Sequence, residues 1–248
     1  MEQALKKFIN IWRKNKNVTG ILLTGSYSIG LQSKNSDIDI RIILNSEVKE
    51  SFKGLQEIDG YLFSYLGRTK KAISNKFNSD YFNNSKLEAR MFNVGKIIYS
   101  TNEDLSELKN IAKHYYNQPF LEKAISKDDK KSMMYNLYNL YNYLIETDSK
   151  SPFFLFNYMI FMKQALSYYF HISNIEMVMD SKLERLLTDK KYISKYNFKI
   201  SEKYFITLWL RNISPSNINK ESLNEIYSYM ENKLSRIDKK KLIIFWKE

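Results

Sequence analysis

The chain has 248 residues, 44% hydrophobic and 27% charged, a balance that excludes wholesale disorder and allows one or two domains with a substantial core. It holds no cysteine and two histidines, His114 and His171, which excludes disulfides, thiolate zinc sites and histidine-rich metal clusters. The net charge of +12 suits polyanionic partners such as nucleotides, RNA or acidic membranes, yet lysine is abundant throughout, so charge alone decides nothing. No apolar run approaches the roughly 20 residues that span a bilayer, and the first residues lack a signal-peptide pattern, so no membrane partner and a cytoplasmic location are expected.

Residues 2–15 read as an amphipathic helix, with Leu5, Phe8, Ile9 and Trp12 at helical spacing. Ile21 to Thr24 is a short apolar strand running into Gly25-Ser26, and Gln32 to Ser36 is a polar connection. Asp37 to Leu44 alternates acid or arginine with aliphatic residues, a strand signature. Tyr61 to Leu66 is a third strand, entered through the turn pair Asp59-Gly60, and a helix over 86–93 leads to a strand over 95–100 and a helix over 103–116. Near Pro119 the character changes. Helical periodicity runs through 128–146, 153–170, 180–189, 201–212 and 220–236, and the last strand candidate is Leu242 to Trp246. The expected division is therefore 1–118 and 119–248. The aromatic stripe over 153–170 reads as core rather than as a stacking platform for bases.

On a strand, Asp37, Asp39 and Arg41 share one face while Ile38, Ile40 and Ile42 pack on the other. The two carboxylates then stand about 6–7 Å apart on a rigid support, where mutual repulsion favours a cation between them. Hard oxygen ligands of this kind suit magnesium, which takes one or two carboxylates together with substrate phosphates. Upstream, an apolar strand delivers Gly25 and Ser26 into a turn, where backbone N–H groups and a hydroxyl can receive phosphate oxygens. Either signal alone is weak. With ten residues between Ser26 and Asp37 and apolar strands on both sides, their combination is specific.

This stretch, residues 21–44, resembles the DNA polymerase β-like nucleotidyltransferase superfamily, whose pattern is an apolar strand, Gly-Ser, a spacer and an apolar-flanked Asp-X-Asp. The resemblance implies an α+β fold: a small polymerase β-like α/β core with a mixed sheet, followed by a helical bundle, a layout similar to the antibiotic nucleotidyltransferases. It implies that Gly25 and Ser26 hold the triphosphate of an NTP, ATP foremost, and that Asp37 and Asp39 bind Mg²⁺. The reaction implied is transfer of a nucleoside monophosphate to a hydroxyl acceptor with release of pyrophosphate.

The departure from the pattern is a third carboxylate on the neighbouring strand, because Tyr61 to Tyr65 contains no acid. Asp59 and Glu57, just before it, are the candidates, and Glu88 on the following helix is a substitute; Asp59-Gly60 also reads as an ordinary turn. Arg41 and Lys163 are the basic residues expected to clamp phosphates, with a salt bridge for Arg41 and solvent for Lys163 as the alternatives. Lys182 and Arg185 read as a solvated helix face. The expected acceptor is a small molecule such as an antibiotic, and neutral or anionic rather than polycationic given the basic surplus. RNA at tRNA ends, a catalytically degenerate nucleotide-binding protein and protein nucleotidylation are the other readings. Oligomeric state is open.

Overall fold

A computed structural model describes residues 1–122, 124–200, 202–238 and 240–245. In chain order it begins with α1 (Glu2–Trp12), β1 (Val18–Leu23), α2 (Gly25–Ile29), β2 (Ile38–Leu44), β3 (Phe52–Ile58) and β4 (Tyr61–Thr69). Then come α3 (Lys70–Phe82), α4 (Leu87–Val94), β5 (Lys96–Ser100) and α5 (Asp104–Asn117). The chain continues through α6 (Lys127–Glu146), α7 (Pro152–Ile172), α8 (Asp180–Thr188), α9 (Lys190–Lys195), α10 (Lys203–Asn212) and α11 (Lys220–Lys233). Two compact units result: 1–121 with 178–197, and 122–177 with 198–248. Thus α8 and α9, which follow the sequence boundary at 118, group with the first unit. Leu242 to Phe245 form no strand, and Trp246 lies outside the described residues.

The first unit is built on a mixed five-stranded sheet of order β3-β4-β2-β1-β5. The α+β core expected from the sequence is present. Only β2 and β4 run parallel, with Ile38 opposite Phe63 and Asp39 opposite Ser64. Strand alternation sorts the side chains into two cores. On one face Ile21, Leu23, Ile38, Ile40, Ile42 and Phe63 pack beneath Ala4 and Phe8 of α1, and Phe8 stacks on Phe63 with ring centroids 4.8 Å apart. On the other, Leu22 and Ile43 meet Ile73 and Phe77 of α3, Ala89 and Phe92 of α4, and Leu105 and Leu108 of α5.

Among the elements of this unit that escape the sequence pattern are β3 and α3. β3 is an edge strand that pairs with β4 through the Asp59-Gly60 turn; its alternation is blurred by Gly54 and by exposed Lys53, Leu55 and Glu57. α3 has weak apolar periodicity and is held by tertiary burial of Ile73, Phe77 and Tyr81.

The second unit is helical. Ser126 and Asp129 form a reciprocal capping box at the start of α6, and Ser151 caps α7 with Pro152 in its first turn. One face of the aromatic stripe of α7 is core, with Phe154, Tyr158, Phe161 and Tyr169 buried, whereas Phe153 and Phe156 are exposed; Tyr169 stacks on Phe205 at 4.2 Å. Their polar tips are satisfied, since Tyr158 donates to the Asn212 carbonyl at 2.8 Å and the Trp209 indole N–H donates to the Met162 carbonyl at 2.7 Å. Among the described residues no helix is long and apolar enough to cross a membrane.

Candidate active site

The site begins where β1 ends. The backbone N–H of buried Thr24 donates to the Asp39 carbonyl at 2.8 Å, and its hydroxyl reaches the same oxygen at 3.2 Å, so the strand end is stitched to β2. Gly25 follows with φ +64. A Cβ there would fall 2.0 Å from Oδ2 of Asp39 and 2.8 Å from its Cγ. Glycine is therefore required twice, for its backbone angle and for the carboxylate lying against it. Half-buried Ser26 is the second residue of the short α2, which Gly30 closes in the left-handed conformation with its N–H on the Ser26 carbonyl. Ser28 braces the turn by donating to the Gly25 carbonyl at 2.8 Å.

Asp37 precedes β2 and Asp39 is its second residue, both half-buried. Burial foremost, and then the Asp37 charge, push the Asp39 carboxyl above the usual carboxylate range; Arg41 and Lys182 pull the other way. The pair is thus held in a place that penalises its own negative charge. Among the described residues no group of three or more His, Cys, Asp or Glu side chains is placed to hold a metal. Two carboxylates flanked by a side-chain-free glycine nonetheless match what magnesium asks of a protein when substrate phosphates complete its shell. The donor set fits.

The other expected site residues fall into different places. Arg41 shares the acidic face but turns to α4: its Nε and Nη2 donate to the two carboxylate oxygens of Glu88 at 3.0 and 3.2 Å. Glu88 is buried and Arg41 half-buried, so this fork fixes α4 over the sheet and engages both Arg41 and the substitute acid Glu88. Asp59 is not brought to the acidic pair. It occupies the hairpin turn with φ 52, and its carboxylate takes Lys7 of α1 at 2.6 Å, on the side of the sheet opposite Asp39. Lys163 is exposed on α7 in the second unit.

Glu57 is different. Opposite Asp39 on β4 stands Ser64, and opposite Ser64 on β3 stands Leu55, with Glu57 opposite Leu62. Paired residues share a face, so Leu62, Ser64, Leu55 and Glu57 all look out on the side of Asp39. Glu57 lies two strands, about 10 Å, from the acidic pair. It is the exposed acid on that face of the hairpin.

Lys182, which reads as solvated surface in the sequence, comes within Coulombic range of Asp39. The segment that carries it is anchored by Leu186, Tyr192 and Tyr196, all buried, with the Arg90 guanidinium of α4 over the Tyr196 ring at 5.5 Å. No local signal marks Lys182, because the motif it joins lies far upstream in the chain.

The model of the nucleotidyltransferase domain matches residues 5–133, a span that includes the strand, the glycine turn and the acidic pair. The chain belongs to this nucleotidyltransferase family. A relative from Methanocaldococcus jannaschii, named as a protein adenylyltransferase, is 34% identical over 82 residues, which are 31% of this chain and 82% of the relative. Among solved structures, a nucleotidyltransferase-like protein from Exiguobacterium sibiricum is 14% identical with a TM-score of 0.39, covering 94% of this chain and 75% of that one.

Proposed function

We propose that this nucleotidyltransferase moves a nucleoside monophosphate from an NTP, ATP foremost, to a hydroxyl of a small-molecule acceptor. The observation that supports it best is the packing of the Asp39 carboxylate against Gly25, which sets the acidic strand directly beside the Gly25-Ser26 turn. In the reaction the acceptor oxygen forms a new ester bond to the α-phosphorus, the bond to the β-phosphate breaks, pyrophosphate leaves, and the acceptor proton is taken up by a base. Gly25 lets phosphate oxygens approach the backbone, and the Ser26 hydroxyl donates to them. Asp37 and Asp39 would hold Mg²⁺, which when bound neutralises charge on the phosphates and aligns the attacking and leaving oxygens. Lys182, within Coulombic range of Asp39, adds positive charge that would offset the negative charge of the triphosphate. With Asp59 tied to Lys7, Glu57 is the carboxylate best placed to take the acceptor proton.

A protein hydroxyl is the second reading of the acceptor, favoured by the name of the archaeal relative. An antibiotic or another small hydroxyl compound remains the first, because the chain follows its catalytic core with a helical unit, a layout it shares with the antibiotic nucleotidyltransferases.

The test is thermal stabilisation by each of the four NTPs with Mg²⁺, on the wild type and on Asp37→Asn and Asp39→Asn. A ligand at 100 times its dissociation constant stabilises by about 2.7 kcal/mol. The reading expects a magnesium-dependent shift with at least ATP that is lost in both variants. No shift with any NTP overturns it.

A further inference from the structure

We infer that the face of the β3–β4 hairpin beside the acidic pair is the acceptor platform, and that it selects a neutral acceptor carrying an apolar group next to its hydroxyl. This rests on the nucleotidyl-transfer reading of the site. The donor's phosphates lie on the β1 side of Asp39, at Gly25 and Ser26, so in-line displacement requires the acceptor to approach from the opposite direction. In the strand order that direction is β4 and then β3. The register states what is met there: Ser64 beside Asp39, then Leu55 opposite Ser64, with Leu62 and Glu57 paired one step along.

Leu55 is 67% exposed and Leu62 is 45% exposed. As diagonal neighbours on one face of paired strands they form one apolar patch. The central strands β1 and β2 bury their leucines and isoleucines under helices; here the same residue type is left open on the face of Asp39. The charge around the patch is balanced. Lys53 and Glu57 flank Leu55 on the same face, so the platform presents neither the anionic field a polycation needs nor the basic stripe a nucleic acid needs. Ser64 supplies one hydroxyl at the rim, and Glu57 stands across the patch from the acidic pair. An acceptor resting its apolar group on Leu55 and Leu62 would hold its hydroxyl between Asp37 and Glu57.

The experiment uses the full chain and a homologous series of hydroxyl compounds, methyl, butyl and octyl β-glucoside, below micellar concentrations. Saturation-transfer NMR is read on the wild type, on Leu55→Lys/Leu62→Lys, and on Leu55→Thr/Leu62→Thr as the milder pair. The Mg²⁺-ATP melting shift of each protein serves as the control for fold and donor site. Transfer to alkyl protons is expected to rise along the series, up to about fourfold in affinity per fully buried methylene, and to fall at least tenfold in the lysine pair, with the ATP shift unchanged. Equal transfer to wild type and variants, transfer confined to the sugar ring, or no transfer at all overturns the platform. Loss of the ATP shift in the wild type strikes the nucleotidyl-transfer reading instead, and is told apart because the alkyl signal is recorded without nucleotide.

Discussion

At the scale of single residues, Gly25 carries more of the site than either aspartate alone, because its missing side chain is the space in which the Asp39 carboxylate lies. A Gly25→Ala chain must displace that carboxylate and hold alanine at φ +64, a conformation that costs about 1–3 kcal/mol. Chemical denaturation should show a loss of that size or more, and the Mg²⁺-ATP melting shift should disappear. A variant that melts like the wild type and still binds ATP would show that the turn is not the donor cradle. Glu57 makes a kinetic prediction. Glu57→Gln should lower kcat by about 10²-fold or more, while the ATP shift is kept. An unchanged kcat would assign the proton to water or to the acceptor. Asp59→Asn, by contrast, should leave kcat unchanged, since Lys7 already holds that carboxylate on the other side of the sheet.

At the scale of elements, α4 is fixed to β2 by one buried fork. Glu88→Ala leaves the Arg41 guanidinium without its carboxylate partner in a site where Arg41 is 13% exposed and Glu88 5%. Breaking such a pair costs about 3–5 kcal/mol, and urea midpoints should fall accordingly. Glu88→Gln, which keeps the shape and one acceptor, should lose less.

At the start of α6 the capping box makes a second prediction. The Asp129 carboxyl is held below its ordinary value by hydrogen bonds from the Ser126 hydroxyl and backbone N–H. A depressed folded value means that the unfolded chain binds the proton more tightly. The contribution of Asp129 is therefore complete above the ordinary carboxylate range and is lost as pH falls through it toward the depressed value. Helicity of the second unit should fray in acid over that window, and Ser126→Ala should cost about 1 kcal/mol at neutral pH, with a weaker dependence on acid. Circular dichroism followed between neutral and acidic pH reads both effects.

At the scale of the molecule, the first unit is discontinuous. A fragment ending at residue 121 keeps the whole sheet but lacks 178–197, and with it Leu186, Tyr192 and Tyr196, which are buried in the full chain. Each such side chain contributes about 1.5–3 kcal/mol on burial. The fragment is therefore expected to unfold at lower urea than the same unit in the full chain, and to lose affinity for ATP together with Lys182. A fragment as stable and as competent as the parent would show that the returning segment only rests on the surface.

Much of this was legible in the linear order of residues. Alternation marked β2 and the face shared by Asp39 and Arg41, because period two follows from the pleat wherever the strand lies; Asp37 stands just before the strand. The glycine and serine after β1 were legible for the same local reason, as were the helical stripes of α6 and α7. What the sequence by itself determined is thus the local part: which residues form the motif, which side each faces, and the family those features share. Tertiary structure alone decided the pairings across the chain. It turned Arg41 to Glu88, sent Asp59 to Lys7, laid β3 beside β4 so that Glu57 and Leu55 look toward Asp39, and returned Lys182 to the acidic pair. The reason is physical. Periodicity records what one element exposes to its surroundings, whereas partners separated by tens of residues meet only when several elements bury their apolar faces together, and no residue near the motif records where a distant segment comes to rest.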